Sequence, residues 1–416
     1  MHHFAYNDGR LHAEGVDLGA IADAVGTPVY VYSEATLRRH YRVFADAFAG
    51  AEALVAFSVK ANSNIAVLKT LASEGAGADV VSGGELIRAQ KAGIAPDKIV
   101  FSGVGKTRDE IEAALSAGIL QFNVESAAEL AAIDDIARAN KATAPIALRI
   151  NPDVAAGGHE KISTGKKEDK FGVPWAEARD LYATARAMKN VVVKGVDLHI
   201  GSQIDALAPF EAAFTKVASL IADLRADGCA IETLDLGGGL GIPYGEGAIP
   251  PHPDDYAAMI KRVTVPLNVK LIFEPGRMIA GNAGVLLSRV LYVKEGETKR
   301  FLIIDAGMND LVRPAMYDAY HDIWPVFESG GDKTAYDVVG PVCESSDRFA
   351  KNRSLPALNA GDLVAVMSAG AYGAVQSSQY NTRPLVPEVL VSSERYMVIR
   401  RRPTIDEMLA LEAPPA

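Results

Sequence analysis

Between residues 53 and 276 one rhythm recurs eight times: a short apolar, β-branched run, then an alanine-rich stretch with helical spacing. The runs are ALVAFSV (53–59), GADVV (77–81), KIVFSG (98–103), LQFNVE (120–125), PIALRIN (145–151), VKGVDLHIG (193–201), IETLDLGGG (231–239) and VKLIFEPG (269–276). Most are nearly continuous in apolar residues, as strands covered on both faces are. Eight βα units point to the α/β class and a closed (β/α)8 TIM-like barrel. The rival is an open doubly wound sheet. The barrel is favoured because the count is eight and the polar residues of interest all follow strands.

Local signals agree with the helices. Asn62-Ser63-Asn64 can cap a helix over IAVLKTLASEG, with Ile65, Leu68, Leu71 and Ala72 on one face and Gly75 as its stop. Ser82 and Glu85 have capping-box spacing, and Gly93 follows the helix they open. Residues 152–172 are polar, rich in Gly and Lys and without periodicity. A connection that long is expected to be a lid or an interface loop. After residue 280 strands and turns dominate, with a hairpin connection at Ser392-Ser393-Glu394-Arg395. The reading is a barrel over 36–280 and a β-rich C-terminal domain over 281–416. Residues 1–35, with the strand-like TPVYVYS, join the β domain or lead into the barrel. Residues 403–416 read as a short helix and a frayed tail.

Composition narrows the function. Among 416 residues, 49% are hydrophobic and 23% charged, with a net charge of -10. That balance fits a soluble globular protein and argues against nucleic-acid or membrane-surface partners. No apolar run approaches a membrane span, and MHHFAYNDGR lacks the layout of a signal peptide. With only Cys229 and Cys343, a disulfide framework is not expected and a reducing cytoplasm is the default. No CxxC pair suggests zinc, and no metal is expected.

In such a barrel the catalytic groups project from the C-terminal strand ends. Those ends carry Lys60, Ser82, Ser102, Asn123, Arg149, His199, Gly237-Gly238-Gly239 and Glu274 to Arg277. Lys60, taken singly, could snorkel out of the barrel mouth. Partial burial would instead favour its neutral amine, which condenses with carbonyls. The triple glycine in DLGGGLGIP could be a flexible turn. Placed before the eighth strand, it could bring backbone N–H groups close to a phosphate. Glu274 near the barrel centre is costly without a positive partner, and a protonated pyridine nitrogen would serve. His199 could be a core imidazole or a ring stacked on a planar cofactor, and Ser202 could donate to it. An amine, a phosphate cradle and a ring-nitrogen carboxylate together describe pyridoxal 5'-phosphate, an electron sink.

The chain also resembles the diaminopimelate decarboxylase family, in the alanine-racemase-like class of pyridoxal-phosphate enzymes. The matching stretches run almost end to end. They include KAN (60–62), DVVSGGEL (79–86), HEKISTG, GVDLHIGSQI (195–204), LDLGGGLGIPY (234–244), EPGR (274–277), DAGMNDLVRPAMYDAYH (305–321), VVGPVCESSD (338–347), GAYGA (370–374) and YNTRP (380–384). In FSVKAN, Phe57 and Ser58 stand where the family often has Tyr-Ala; the lysine is unaffected.

The resemblance implies the fold above, a homodimer with shared sites and the decarboxylation of meso-2,6-diaminopimelate to L-lysine. It implies that Lys60, His199 and Cys343 are catalytic, with Cys343 as proton donor. It implies that Lys60, His199, Ser202, Gly237, Gly238, Gly239, Glu274, Pro275, Gly276, Arg277 and Tyr372 bind the cofactor. Arg277, Arg313, Tyr317, Glu344 and Tyr372 would hold the substrate. Arg277 and Arg313 offer planar forks suited to carboxylates, and Glu344 can pair with the distal ammonium. Three alternatives stand beside it: an ornithine or arginine decarboxylase on the same fold, a Schiff-base aldolase on a plain barrel, and a non-catalytic cofactor carrier. The first lacks the need for a distal carboxylate clamp, and the second lacks the ring-nitrogen carboxylate.

Overall fold

A computed structural model describes residues 2–154, 170–245, 249–328 and 330–412. The greater part of the 152–172 loop, residues 155–169, lies outside them. The chain divides into two compact units, residues 40–242 with 248–279, and residues 1–39 with 243–247 and 280–416.

The first unit is the barrel. Its strands are Ala53–Ser58, Gly77–Val80, Ile99–Phe101, Gln121–Val124, Ala144–Asn151, Val191–Asp197, Thr233–Asp235 and Lys270–Phe273. Each pairs in parallel with the next, and the eighth pairs back to the first, so no sheet edge remains. Leu54, Ala56, Val100 and Ile272 form an apolar plug inside.

Helices follow the first seven strands, but the eighth is followed only by the four-residue helix Arg277–Ala280. Its cover comes from elsewhere. Phe44, on the helix Glu34–Ala47 ahead of the first strand, and Phe48 just beyond it pack against Phe273, with ring centroids 5.6 and 4.1 Å away. The outer ring is therefore completed by the helix that enters the barrel rather than by one that leaves it.

The caps refine the sequence reading. Asn64 caps the helix Ile65–Ser73 by accepting from the Ala66 N–H at 3.0 Å. Its buried face is Val67, Leu68, Thr70 and Leu71, so Ile65 and Ala72 sit at the margin. Ser82 accepts from the Glu85 N–H, but the Glu85 carboxylate turns back to the Val81 N–H at 2.8 Å. That is half of a capping box, displaced by one residue.

The second unit is β-rich. Its main sheet has nine strands, with the long strand Gly284–Glu295 near its centre. Val29–Ser33 pairs antiparallel with that strand and parallel with Glu388–Ser392. The N-terminal strand VYVYS is thus an interior member of this sheet, and all five of its residues are buried. Glu388–Ser392 and Arg395–Arg400 form the hairpin, with Ser393 in the left-handed region at φ +55°. Three shorter strands, Phe4–Asn7, Arg10–Ala13 and Val16–Asp17, make a separate sheet. Near the C-terminus, Thr404 and Glu407 form a complete capping box for Ile405–Leu409. Among the described residues no helix is long and apolar enough to cross a membrane.

Candidate active site

The C-terminal ends of the barrel strands converge on a set of inward polar groups. Lys60, just past the first strand, reaches Asp79 on the second: its Nζ donates to Oδ2 at 2.9 Å. The Asp79 side chain is fully buried, and Ser58 Oγ donates to the same oxygen at 2.8 Å. Ser58 also lies 3.0 Å from the Glu274 carbonyl, which ties the first strand to the eighth.

Glu274 is buried, and its Oε1 is approached by neutral donors, Ser102 Oγ at 3.1 Å and Asn123 Nδ2 at 3.3 Å. Asn123 Nδ2 also lies 3.0 Å from Asp235 Oδ2. Glu274, Asp235 and Asp197 bring carboxylate oxygens within 4.8 Å of one another. Burial is the main cause that pushes all three carboxyls up, and their mutual repulsion adds to it; Asp235 is pushed up to about 8. Sharing protons relieves the like charge, and Arg149, ion-paired with Glu125 at 3.2 Å, offsets part of the rest.

The glycine run has a tighter reason than flexibility. Gly237 and Gly239 adopt φ +61° and +113°. A Cβ on Gly238 would lie 2.3 Å from the Glu274 carbonyl oxygen, and one on Gly237 2.7 Å from His199 Nδ1. The Gly237 N–H donates to Asp235 Oδ1 at 3.0 Å, and the Gly238 N–H to His199 Nδ1 at 3.1 Å. Two of the three N–H groups are therefore spent inside the protein. The idea of three successive donors around one anion narrows to Gly239 and the residues after it.

Because His199 Nδ1 accepts, its proton sits on Nε2. Burial, then Arg149 and Lys60, hold the imidazole well below its usual range, so it is neutral. Ser202 accepts from Arg277 Nη2 at 2.9 Å, which leaves the Ser202 O–H able to donate elsewhere. The barrel unit thus brings together Lys60, His199, Ser202, Gly237–Gly239 and Glu274–Arg277.

The second unit carries the remaining residues. Arg313 is buried and opens the short helix Arg313–Tyr317. Its guanidinium lies 4.7 Å over the Tyr244 ring, and its Nη1 is 2.8 Å from His321 Nε2. Cys343 and Glu344 are exposed, whereas Cys229 is buried. Their loop is pinned by Asp347, whose two carboxylate oxygens accept from the Met308 and Val342 N–H groups, each at 2.6 Å. Asn381 holds the Cys343 N–H at 3.1 Å, and Tyr380 donates to Glu344 at 2.5 Å. The YNTRP stretch therefore braces the CESSD stretch. Tyr372 takes φ +56°, costly for a bulky residue and sustained only where the surroundings over-determine it.

Asp79, Asp197, Asp235 and His321 are the residues that sequence reasoning passed over. A signal for the carboxylates exists: each is flanked by apolar or small residues within or at the end of a strand-like run, GADVV, GVDL and TLDL. His321 has no such signal.

Residues 34–281 match the pyridoxal-binding domain of the pyridoxal-dependent decarboxylases. Over nearly the full length, the chain is 50% identical to diaminopimelate decarboxylases of Zymomonas mobilis and Pseudomonas aeruginosa. Those alignments cover 98% and 99% of this chain and 97% and 99% of theirs. A solved diaminopimelate decarboxylase from Helicobacter pylori, complexed with L-lysine, is 42% identical with a TM-score of 0.92, over 95% of this chain and 99% of that one. One from M. jannaschii, also in complex with L-lysine, is 40% identical with a TM-score of 0.94, over 99% and 98%. Sequence likeness thus runs through the residues of both units, and the chain belongs to the diaminopimelate decarboxylase family of pyridoxal-dependent decarboxylases.

Proposed function

We propose that this protein decarboxylates meso-2,6-diaminopimelate to L-lysine and carbon dioxide with pyridoxal 5'-phosphate, as a cytoplasmic homodimer. The observation that carries the reading is the barrel-mouth array. An amine held by a buried carboxylate stands with a second buried carboxylate whose hydrogen-bond partners are neutral, and a glycine run follows the strand paired with that second carboxylate's strand.

Three features support the cofactor's fit. Glu274 is pushed up by burial, and among the described residues no cation lies within ion-pair distance of it. A cationic ring nitrogen would restore its charge. Gly237–Gly239 tolerate no side chain, so the backbone itself lines the mouth. His199 is a neutral ring suited to stacking. Lys60 would hold the cofactor through Nζ, Glu274 its ring nitrogen, Ser202, Gly239, Pro275, Gly276 and Arg277 its phosphate end, and Tyr372 would contact it. When bound, pyridoxal phosphate supplies a sink for the electron pair left as carbon dioxide departs.

The chain's own groups then have separable tasks. Asp79, whose own side chain is fully buried, orients Lys60 Nζ by accepting a charge-assisted hydrogen bond from it. Arg277 and Arg313 bind carboxylates, Glu344 binds the distal ammonium, and Tyr317 and Tyr372 contact the substrate. Only one carboxylate is lost, so the distal carboxylate and amine need permanent partners. Cys343 Sγ or Lys60 Nζ delivers the proton that replaces the lost carboxylate. Exposure of Cys343 and Glu344 suits a residue pair that completes the site of a second copy.

The test is release of carbon dioxide from meso-diaminopimelate, with and without added cofactor, against ornithine and arginine. Cofactor-dependent release from diaminopimelate alone is expected. Preferential release from ornithine or arginine would replace the substrate assignment.

A further inference from the structure

His321 is fully buried, and its two ring nitrogens face partners of fixed sense. Nδ1 lies 2.8 Å from the Met367 carbonyl oxygen, which can only accept. Nε2 lies 2.8 Å from Arg313 Nη1, which can only donate. One protonation state satisfies both: a neutral ring with its hydrogen on Nδ1. The Tyr244 ring completes the enclosure. It meets the imidazole edge-on, with centroids 5.2 Å apart and planes at 80°, while the Arg313 guanidinium lies 4.7 Å over its face. A planar cation held at one nitrogen by an acceptor and across its face by an aromatic ring loses its rotational freedom. The support is rigid in turn, because Met367 also donates its N–H to the Asp322 carbonyl at 2.8 Å.

We infer that His321 is a positioning residue that aims the Arg313 fork at the substrate carboxylate that is not lost, and so sets the preference for an amino acid over a diamine. The inference rests on the reading of Arg313 as the distal-carboxylate ligand. Bidentate recognition of a carboxylate needs the guanidinium plane fixed. An arginine beside a residue that cannot accept would turn toward another acceptor, and its charge would remain while its direction was lost.

The two probes are L-lysine, which retains that carboxylate, and 1,5-diaminopentane, which is lysine without it. Both are measured as competitive inhibitors of the cofactor-loaded enzyme, alongside KM and kcat for diaminopimelate. His321→Leu is expected to weaken L-lysine by about ten-fold or more, equivalent to about 1.4 kcal/mol. It should leave 1,5-diaminopentane within about two-fold and raise KM more than it lowers kcat. His321→Gln, which keeps an acceptor near Nε2, should restore most of the lysine affinity. If His321→Leu fails to fold, His321→Asn, whose acceptor lies on the Nδ1 side, supplies the same contrast with His321→Gln. Equal weakening of both probes, no weakening of lysine, or no rescue by glutamine overturns the inference. Arg313→Gln separates the two levels. If it abolishes the lysine preference while His321→Leu does not, the reading of Arg313 stands and the role of His321 falls. If Arg313→Gln itself leaves the preference intact, both fall.

Discussion

The barrel mouth and the Cys343 loop of the β-rich unit treat chemically active side chains in opposite ways. In the barrel, Lys60, Asp79, Asp235 and Glu274 point inward, and each has hydrogen-bond partners from the barrel's own strands. In the β-rich unit, Cys343 and Glu344 stand exposed on a loop whose backbone is pinned by Asp347 and Asn381. The barrel groups are preorganised by burial, with charges and protons settled within the chain. The loop groups are held in place yet left open, which is useful only if something else meets them. A closed parallel barrel gathers the strand-end groups of one chain at a single mouth, whereas a loop on an antiparallel sheet presents its residues to a neighbour.

The contrast predicts a graded set of losses. Lys60→Ala removes the amine that Asp79 and Ser58 organise, and activity should fall by at least about 10^3-fold. Assays of carbon dioxide release check this, and turnover within ten-fold of the parent would break the barrel side of the comparison. Cys343→Ala should cost about 10^2-fold in kcat while cofactor binding is unchanged, because the residue serves the proton step and not the barrel mouth. Mixing that variant with Lys60→Ala tests whether loop and barrel come from different copies. The mixture should exceed the summed activity of the two impaired parents if they do, and match that sum if each chain completes its own site.

The third prediction concerns stability of the cofactor-free chain. Asp235 is pushed up to about 8 from an ordinary 3.8. Between those values the folded chain keeps a proton that the unfolded chain releases. Its stabilising contribution is therefore full at low pH, declines as pH rises and is gone above about 8. The slope is about 1.4 kcal/mol per pH unit for one proton. Glu85, pushed up to about 7, tilts the same way. Thermal melts across pH 5 to 9 should thus decline, and Asp235→Asn should make the decline shallower. An unchanged slope would mean that the buried carboxylates do not share protons as described. The smallest effect is expected at the exposed loop: Tyr380→Phe frees Glu344 and should raise KM for diaminopimelate by about two- to five-fold, with kcat unaffected.

The barrel was legible because its signal is repetitive. Eight apolar runs, each ending in a polar or small residue, admit few other arrangements. Lys60 and Glu274 stood out for a related reason, since a charge at the end of a buried run demands a partner. The partners themselves were hidden. Asp79 and Lys60 lie 19 positions apart and meet only because neighbouring parallel strands bring them level, and Asn123 and Asp235 are 112 apart. The glycine run has the look of an anion cradle in sequence, yet its N–H groups are largely committed to Asp235 and His199. The helix that covers the eighth strand was hidden too, because periodicity says that a helix exists, and not which strand it covers.

The sequence by itself determined the strand count, the alternation with helices, the β-rich second unit and the residue types at each strand end. These follow from local patterning, which any window of the chain displays. Only the tertiary structure decided which acid meets which base, that three carboxyls crowd within 4.8 Å and must share protons, and that His321 is locked in one tautomer behind Arg313. Hydrogen bonds and proton sharing are settled over a few tenths of an ångström. Distances of that size are set by how strands close and side chains pack, and neither is written in the spacing of residues along a chain.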